Sequence, residues 1–351
     1  MRRTPANAGT EIAGWAIPGD GGQWFAPLQC KTRDLSLLNP GLPHVEPHVT
    51  AWAQKVGLLS AEAAEQARRE RHIAFAGRVW PWAPPERLAE LSRLALWMFV
   101  VDDRSDARGD DSGAVDTELQ AMMRIVTCAQ DVVPEKAPGT VRVLAEVVPR
   151  LADQMSPAWS DRFRRHLAEW IRTNRDMIRR RVERSVPTPH AYVAWRRVSG
   201  AVGWCFDLTE YAQDAELTEL VWSSPACRQL RDTAADIICW TNDLYSLGKE
   251  LRTGETSNLV VILQHHHHLT LQDAVNEVHR RLSLRIIELP AAIVSLQTTA
   301  LAMNLTVQEQ AAVDRYVDGI RAWARGFLEY SQESARYAEA SVPPATAGLR
   351  L

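Results

Sequence analysis

Residues 87–106 read RLAELSRLALWMFVVDDRSD. Apolar side chains at Leu91, Leu94, Ala95 and Met98 recur at the three- and four-residue spacing that keeps them on one face of a helix. Continuing that stripe by four residues reaches Asp102, and by four more Asp106. Two carboxylates therefore extend a face that the pattern assigns to the interior. Burying an ionised carboxylate costs several kcal/mol unless a cation compensates it. A divalent metal is the natural partner. Asp103 sits about 100° round the helix, and an acidic string of this kind, taken alone, also suits a solvated helix end.

Outward from this stretch the chain continues to read as helices. LSAEAAEQARRERHIAFAGRVW has the Ala, Leu, Arg and Glu content of a helix, with Ser60 placed as an N-cap and Glu62 in the first turn. Breaks fall at WPWAPPE, ARGDDSG, VVPEKAPGT, QMSPAWS, SVPTPH, SSPAC and RTGETSN, where Pro, Gly, Ser and Asp punctuate helical patterns. Strand alternation is almost absent, and no fixed repeat or long linker divides residues 52–337. The expected architecture is all-α: one helical domain over residues 36–340, with flexible segments at 1–35 and 341–351.

The 351 residues are 46% hydrophobic and 24% charged, with a net charge of −3, which excludes wholesale disorder and offers no bulk attraction to nucleic acid or anionic membrane. The apolar runs LALWMFVV and NLVVIL are far shorter than the roughly 18 residues a membrane span requires. Five cysteines (Cys30, Cys128, Cys205, Cys227 and Cys239) form no CxxC pair, and the N-terminus has no apolar signal core, so a reduced cytoplasmic protein is expected. The histidines His265 to His268 read as a surface turn, since four adjacent rings cannot all face one ion.

A second polar constellation lies in DIICWTNDLYSLGKE. Asn242, Ser246 and Glu250 fall at i, i+4 and i+8 on one helical face, spread over about 12 Å of helix. An amide oxygen, a hydroxyl and a carboxylate form an oxygen-only set, suited to a hard ion such as Mg²⁺ and unsuited to zinc. The competing reading is a polar seam bonded to another helix. Two such faces on separate helices of one bundle can oppose each other across a cavity and hold a diphosphate between metal ions.

At this point the sequence resembles the bacterial class I terpene synthases. Their aspartate-rich motif is matched by Asp102-Asp103-Arg104-Ser105-Asp106, and their NSE motif by Asn242-Asp243-Leu244-Tyr245-Ser246-Leu247-Gly248-Lys249-Glu250. The family's diphosphate-sensing arginine, 46 residues before the NSE asparagine, falls on Arg196. Its linker and effector positions fall on Ser199 and Gly200, where a helix break aims backbone carbonyls at the substrate. Its arginine–tyrosine pair is matched by Arg336-Tyr337, preceded by Ser334, and Tyr330 stands where the family often has Trp. The resemblance covers roughly residues 39–338 and implies a helical bundle around a central cavity.

The resemblance further implies a Mg²⁺-dependent cyclase that ionises a linear prenyl diphosphate, with farnesyl diphosphate preferred and geranylgeranyl diphosphate second. Asp102, Asp106, Asn242, Ser246 and Glu250 are then the metal ligands for three Mg²⁺ ions. Arg196, Lys249, Arg336 and Tyr337 grip the diphosphate, Gly200 supplies the effector carbonyl, and Asp103 contacts the sensor arginine on closure. Met98, Phe99, Trp204, Phe206 and Tyr330 are candidates for the cavity wall, while Trp97 is expected to face a neighbouring helix. A monomer or homodimer is expected, with no nucleic-acid or membrane partner. A chain-elongating isoprenyl transferase would need a second aspartate-rich motif where this chain has NDLYSLGKE. A non-catalytic helical binding protein is the remaining rival.

Overall fold

The computed structural model describes residues 11–12, 15–17, 37–106, 112–127, 133, 136–183 and 185–338. The expected flexible ends fall outside them, apart from a two-residue antiparallel ladder pairing β1 (Glu11–Ile12) with β2 (Trp15–Ala16). The described residues otherwise build helices: α1 (Leu42–Lys55), α2 (Ala61–Arg69), α3 (His72–Val79), α4 (Pro85–Asp106), α5 (Ser112–Thr127), α6 (Gly139–Ala152), α7 (Pro157–Glu183), α8 (Pro189–Ser199), α9 (Val202–Gln213), α10 (Glu219–Trp222), α11 (Pro225–Thr253), α12 (Leu259–His267), α13 (Leu271–Leu301), α14 (Val307–Glu333) and α15 (Ala335–Ala338). All seven expected breaks separate consecutive helices.

Local chemistry sets many of the boundaries. Pro occupies the first turn of α1, α8 and α11, where its missing N–H costs nothing. Ser60, Thr188, Thr218, Ser224, Asn258, Thr270 and Thr306 each accept a backbone N–H as N-caps. Two expectations need correction. The stretch from Leu59 to Trp80 is two helices, because Arg71 adopts a left-handed backbone (φ 59°) between α2 and α3. No Gly or Pro marks that kink; the Glu70 carbonyl there accepts the Ser334 hydroxyl at 2.7 Å, a contact from the far end of the chain. The histidines His265 to His267 form the exposed last turn of α12, and His268 is its left-handed cap (φ 52°).

Helix α11 is the central element, buried from Ala226 to Gly248 on most of its positions and packed against α13, α14, α8, α9 and α12. Helix α13 is long and apolar enough to cross a membrane by length and composition alone. Its line Ala274, Val275, Val278, Leu282, Ile286, Leu289, Ile293 and Leu296 is buried, and it packs on α11, α12 and α14 as a bundle helix. Helix α9 is pinned to α7 by a buried ionic set. Arg162 donates from Nε to Asp207 (3.0 Å) and also reaches Glu210, and His166 Nδ1 lies 2.6 Å from Asp207. Trp97 turns away from the acidic stripe, as expected, bonding the Thr140 carbonyl at 3.0 Å and meeting Trp170 and Trp204 edge-on. Cys205, Cys227 and Cys239 are buried free thiols; Cys30 and Cys128 lie outside the described residues.

Candidate active site

Helices α4 and α11 present their polar ends to a shared cleft. Asp102, Asn242, Ser246, Lys249 and Glu250 line its mouth together with Arg196, Arg336 and Tyr337. An adjoining cavity shares Asp102, Arg196, Ser199, Asn242, Arg336 and Tyr337, and continues inward over Met98, Phe99, Trp170, Gly200, Ile238, Cys239 and Phe327. The site thus has a charged rim above an apolar, aromatic interior.

The two arrays are strapped together by consecutive residues of α15. Arg336 Nη2 lies 2.8 Å from an oxygen of Asp102 and 2.8 Å from one of Asp103, and Nη1 lies 3.0 Å from Asp103 and 3.4 Å from Glu70. Tyr337 accepts the Asn242 amide at 3.1 Å on the α11 side. Burial alone would depress the Arg336 pKa, but Asp103 and Asp102 carry it well above its ordinary value. Asp103 shows the reciprocal effect: burial pushes its carboxyl up, and Arg336 overcomes this to hold it at about 2. Asp103 also receives Lys249 at 3.2 Å. Its partners are therefore Arg336 and Lys249; Arg196, the contact expected on closure, is held on α11. The Asp106 side chain lies outside the described residues.

Arg196 donates from Nε to Asp243 (2.9 Å) and from Nη2 to the side-chain Oδ1 of Asn242 (2.7 Å). Burial opposes its charge, and Asp243 raises its pKa well above the ordinary value. Its neighbour Arg197 instead pairs with Asp236 (2.7 and 2.8 Å) and Asp232 (2.8 Å). Down the face of α11, Ser246 donates to Glu250 at 2.7 Å, and Asn258, the N-cap of α12, donates to the other Glu250 oxygen at 2.7 Å. Burial, reinforced by the Asp243 charge, pushes the Glu250 carboxyl up to about 8. Asn242, Ser246 and Glu250 set an amide oxygen, a hydroxyl and a buried carboxylate along one face toward the cleft, an all-oxygen donor set that fits a hard divalent cation.

Between α8 and α9 the helix breaks where the sequence places GAVG. Ser199 ends α8, Gly200 caps it, and Ala201 takes a left-handed backbone (φ 63°). A Cβ at Gly200 would stand 2.5 Å from the Cys239 sulfur, so the close approach of α8 to α11 requires glycine there.

The wall differs in part from expectation. Met98 and Phe99 line the cavity; Trp204, Phe206 and Tyr330 do not. Trp204 faces Trp97 and Trp170 and a separate lateral pocket that Phe206 also lines, because α9 turns this face toward α7. Tyr330 is buried beside Phe99, with ring centroids 5.8 Å apart. Sequence reasoning missed Trp170, Phe327 and Cys239 in the wall, and Asp243, Asn258 and Glu70 as anchors. Asp243 and Asn258 carried a signal, a buried-face acid inside the quoted motif and an Asn closing a helix break; Trp170 carried none beyond its size.

A family model described as "Terpene synthase family 2, C-terminal metal binding" matches residues 93–286. A (+)-T-muurolol synthase ((2E,6E)-farnesyl diphosphate cyclizing) of Roseiflexus castenholzii is 30% identical over 306 residues, covering 86% of this chain and 90% of that protein. A (−)-delta-cadinene synthase of Streptomyces clavuligerus is 28% identical, covering 86% and 93%. Among solved structures, linalool/nerolidol synthase from Streptomyces clavuligerus superposes with a TM-score of 0.77 at 21% identity, covering 90% of this chain and 99% of that one. Germacradien-4-ol synthase from Streptomyces citricolor gives 0.71 at 23% identity, with 85% and 96% covered.

Proposed function

The chain belongs to the bacterial class I terpene synthases, a family of metal-dependent terpene cyclases acting on prenyl diphosphates, and from that premise we propose that it is a Mg²⁺-dependent sesquiterpene cyclase that converts farnesyl diphosphate and releases diphosphate. The observation that carries this reading is the meeting of Asp102 with Asn242, Ser246 and Glu250 around one cleft, above a cavity walled by Met98, Phe99, Trp170 and Phe327. Several of the relatives it matches are named as cyclising farnesyl diphosphate, which supports that chain length.

Asp102 and Asp106 on α4 and Asn242, Ser246 and Glu250 on α11 are the proposed ligands of three Mg²⁺ ions. Bound there, the ions supply positive charge that neutralises the leaving diphosphate. The chain's own cations do the rest. Arg336 must exchange the carboxylates of Asp102 and Asp103 for diphosphate oxygens, and Arg196 must give up the Asn242 oxygen in the same way. Each exchange frees an oxygen for a cation, so substrate and metal binding are mutually dependent. Lys249 and the Tyr337 hydroxyl complete the donor set. The allylic C–O bond would then ionise without a general acid, because these donors, once exchanged onto the leaving group, stabilise its charge as it develops.

The resulting carbocation is held in the apolar cavity. Phe99, Trp170 and Phe327 line it with aromatic carbon and exclude water, and the Phe99 ring already meets positive charge, with the Arg336 guanidinium 5.3 Å from its centroid. The test is incubation of the purified protein with geranyl, farnesyl and geranylgeranyl diphosphates, each with Mg²⁺ or with chelator, followed by gas chromatography–mass spectrometry. A cyclic C15 product that depends on Mg²⁺ is the expected result. A product from geranylgeranyl diphosphate alone would reassign the chain length to C20, and no product from any of the three would refute the reading.

A further inference from the structure

Helix α8 ends at Ser199 and α9 starts at Val202, so the chain breaks in the cavity wall. In an uninterrupted helix the Ser199 carbonyl would accept the N–H of residue 203, four positions on. The left-handed Ala201 removes that geometry. Around the break, Gly200 N–H goes to the Arg196 carbonyl (2.8 Å), Ala201 N–H to Val198 (3.1 Å), and Cys205 N–H to Ala201 (3.2 Å). The Ser199 carbonyl instead receives the indole N–H of Trp170, from α7, at 3.1 Å. Ser199 and Trp170 are both buried.

We propose that Trp170 is a positioning residue for cyclisation: its indole N–H, by occupying the Ser199 carbonyl, fixes the α8–α9 break and with it the direction in which the Gly200 backbone faces the cavity. Three observations support this. A buried carbonyl deprived of its helical partner is costly, and Trp170 is the group that satisfies it. The ring itself lines the cavity beside Gly200 and Ala201, so wall and backbone are set by one side chain. The indole is also braced, packed edge-on to Trp97 at 5.2 Å, while Thr173 and Asn174 bond the backbone carbonyl of Trp170. The break therefore keeps one geometry while the carbocation is formed and folded. The diphosphate grip, made by Arg196, Lys249, Arg336 and Tyr337, does not involve Trp170.

This inference rests on the cyclase reading, and the test separates the two. The comparison is Trp170→Phe, which keeps an aromatic wall and deletes the donor, against Trp204→Phe. Trp204 belongs to the same aromatic cluster, its indole N–H has no hydrogen-bond partner among the described residues, and it does not line the cavity. Both are assayed with wild type on farnesyl diphosphate and Mg²⁺ for kcat, KM and product distribution. The expected result for Trp170→Phe is a fall in kcat of about tenfold or more, a KM within about twofold, and a shift toward prematurely quenched linear or monocyclic products. Trp204→Phe should keep the wild-type product profile and a kcat within about twofold. Replacing Trp170 by the isostere benzothienylalanine, which removes the donor without changing shape, answers the question if Trp170→Phe does not fold. An unaltered kcat and product profile in the donor-less protein, or an equal loss in Trp204→Phe, would overturn the proposal. An inactive wild type would instead overturn the cyclase reading.

Discussion

Asp243→Asn removes one charge from the most enclosed part of the site. Asp243 is fully buried, and three donors converge on it: Arg196 Nε at 2.9 Å on one oxygen, and the Tyr192 hydroxyl at 2.8 Å and the Leu259 N–H at 3.1 Å on the other. An asparagine cannot accept all three. If its amide nitrogen faces Leu259 and Tyr192, donors oppose donors there; if it faces Arg196, it opposes the Nε–H instead, and in either orientation the guanidinium loses its countercharge. Removing one partner of a buried ion pair costs about 3–5 kcal/mol. Arg196 keeps the Asn242 oxygen at 2.7 Å and its side chain is 12% exposed, which favours the lower figure of about 3 kcal/mol. At about 2 °C per kcal/mol for a large domain, the melting temperature should fall by roughly 6 °C. Turnover should fall by about 10- to 100-fold, because Arg196 survives but loses its aim at the diphosphate. Thermal unfolding followed by circular dichroism and steady-state diphosphate release measure the two effects. Tyr192→Phe is the comparison: it deletes one neutral donor and should cost only about 1 kcal/mol. A variant Asp243→Asn that melts and turns over like wild type would refute the assignment of Asp243 as the anchor of Arg196.

Asp102→Ala and Asn242→Ala should each lower product formation by about 10²-fold or more while leaving helical circular dichroism intact; loss of the dichroism would reduce the site to a packing role. Chelation should abolish turnover without unfolding, and Mg²⁺ with inorganic pyrophosphate should together raise the melting temperature by about 5 °C at concentrations near 100 times Kd, a shift that Arg336→Ala should remove. Gly326→Ala tests the seam of α14 on α3. The added Cβ would stand 2.5 Å from the Arg78 carbonyl oxygen, a backbone atom that cannot rotate aside, so urea unfolding should show a loss of about 1–3 kcal/mol.

The fold and the two polar faces were legible because both depend on short-range periodicity. Leu91, Leu94, Ala95 and Met98 followed by Asp102 define a stripe within a few turns, and Asn242, Ser246 and Glu250 define another. The breaks were legible for a similar reason, since Pro, Gly and capping hydroxyls act on the backbone within a few residues. The kink at Arg71 escaped because contacts to Ser334 and Glu333 accompany it, more than 250 residues away in the chain. The wall escaped in part for the same reason. Trp170, Trp204 and Phe206 are all large apolar residues on helices, and periodicity places each on a buried face.

What the sequence by itself determined is therefore the class of fold, the helices that carry the polar faces, and the oxygen-donor chemistry on them. Tertiary structure decided which buried aromatic faces the cavity and which lies behind it, because that depends on how α7 and α9 pack against each other and against α4. It also decided that Asp103 answers to Arg336 and Lys249 while Arg196 is held by Asp243, since long charged side chains choose among partners brought together only by packing. Local spacing fixes the face on which a residue sits, and the assembled helices fix what that face meets.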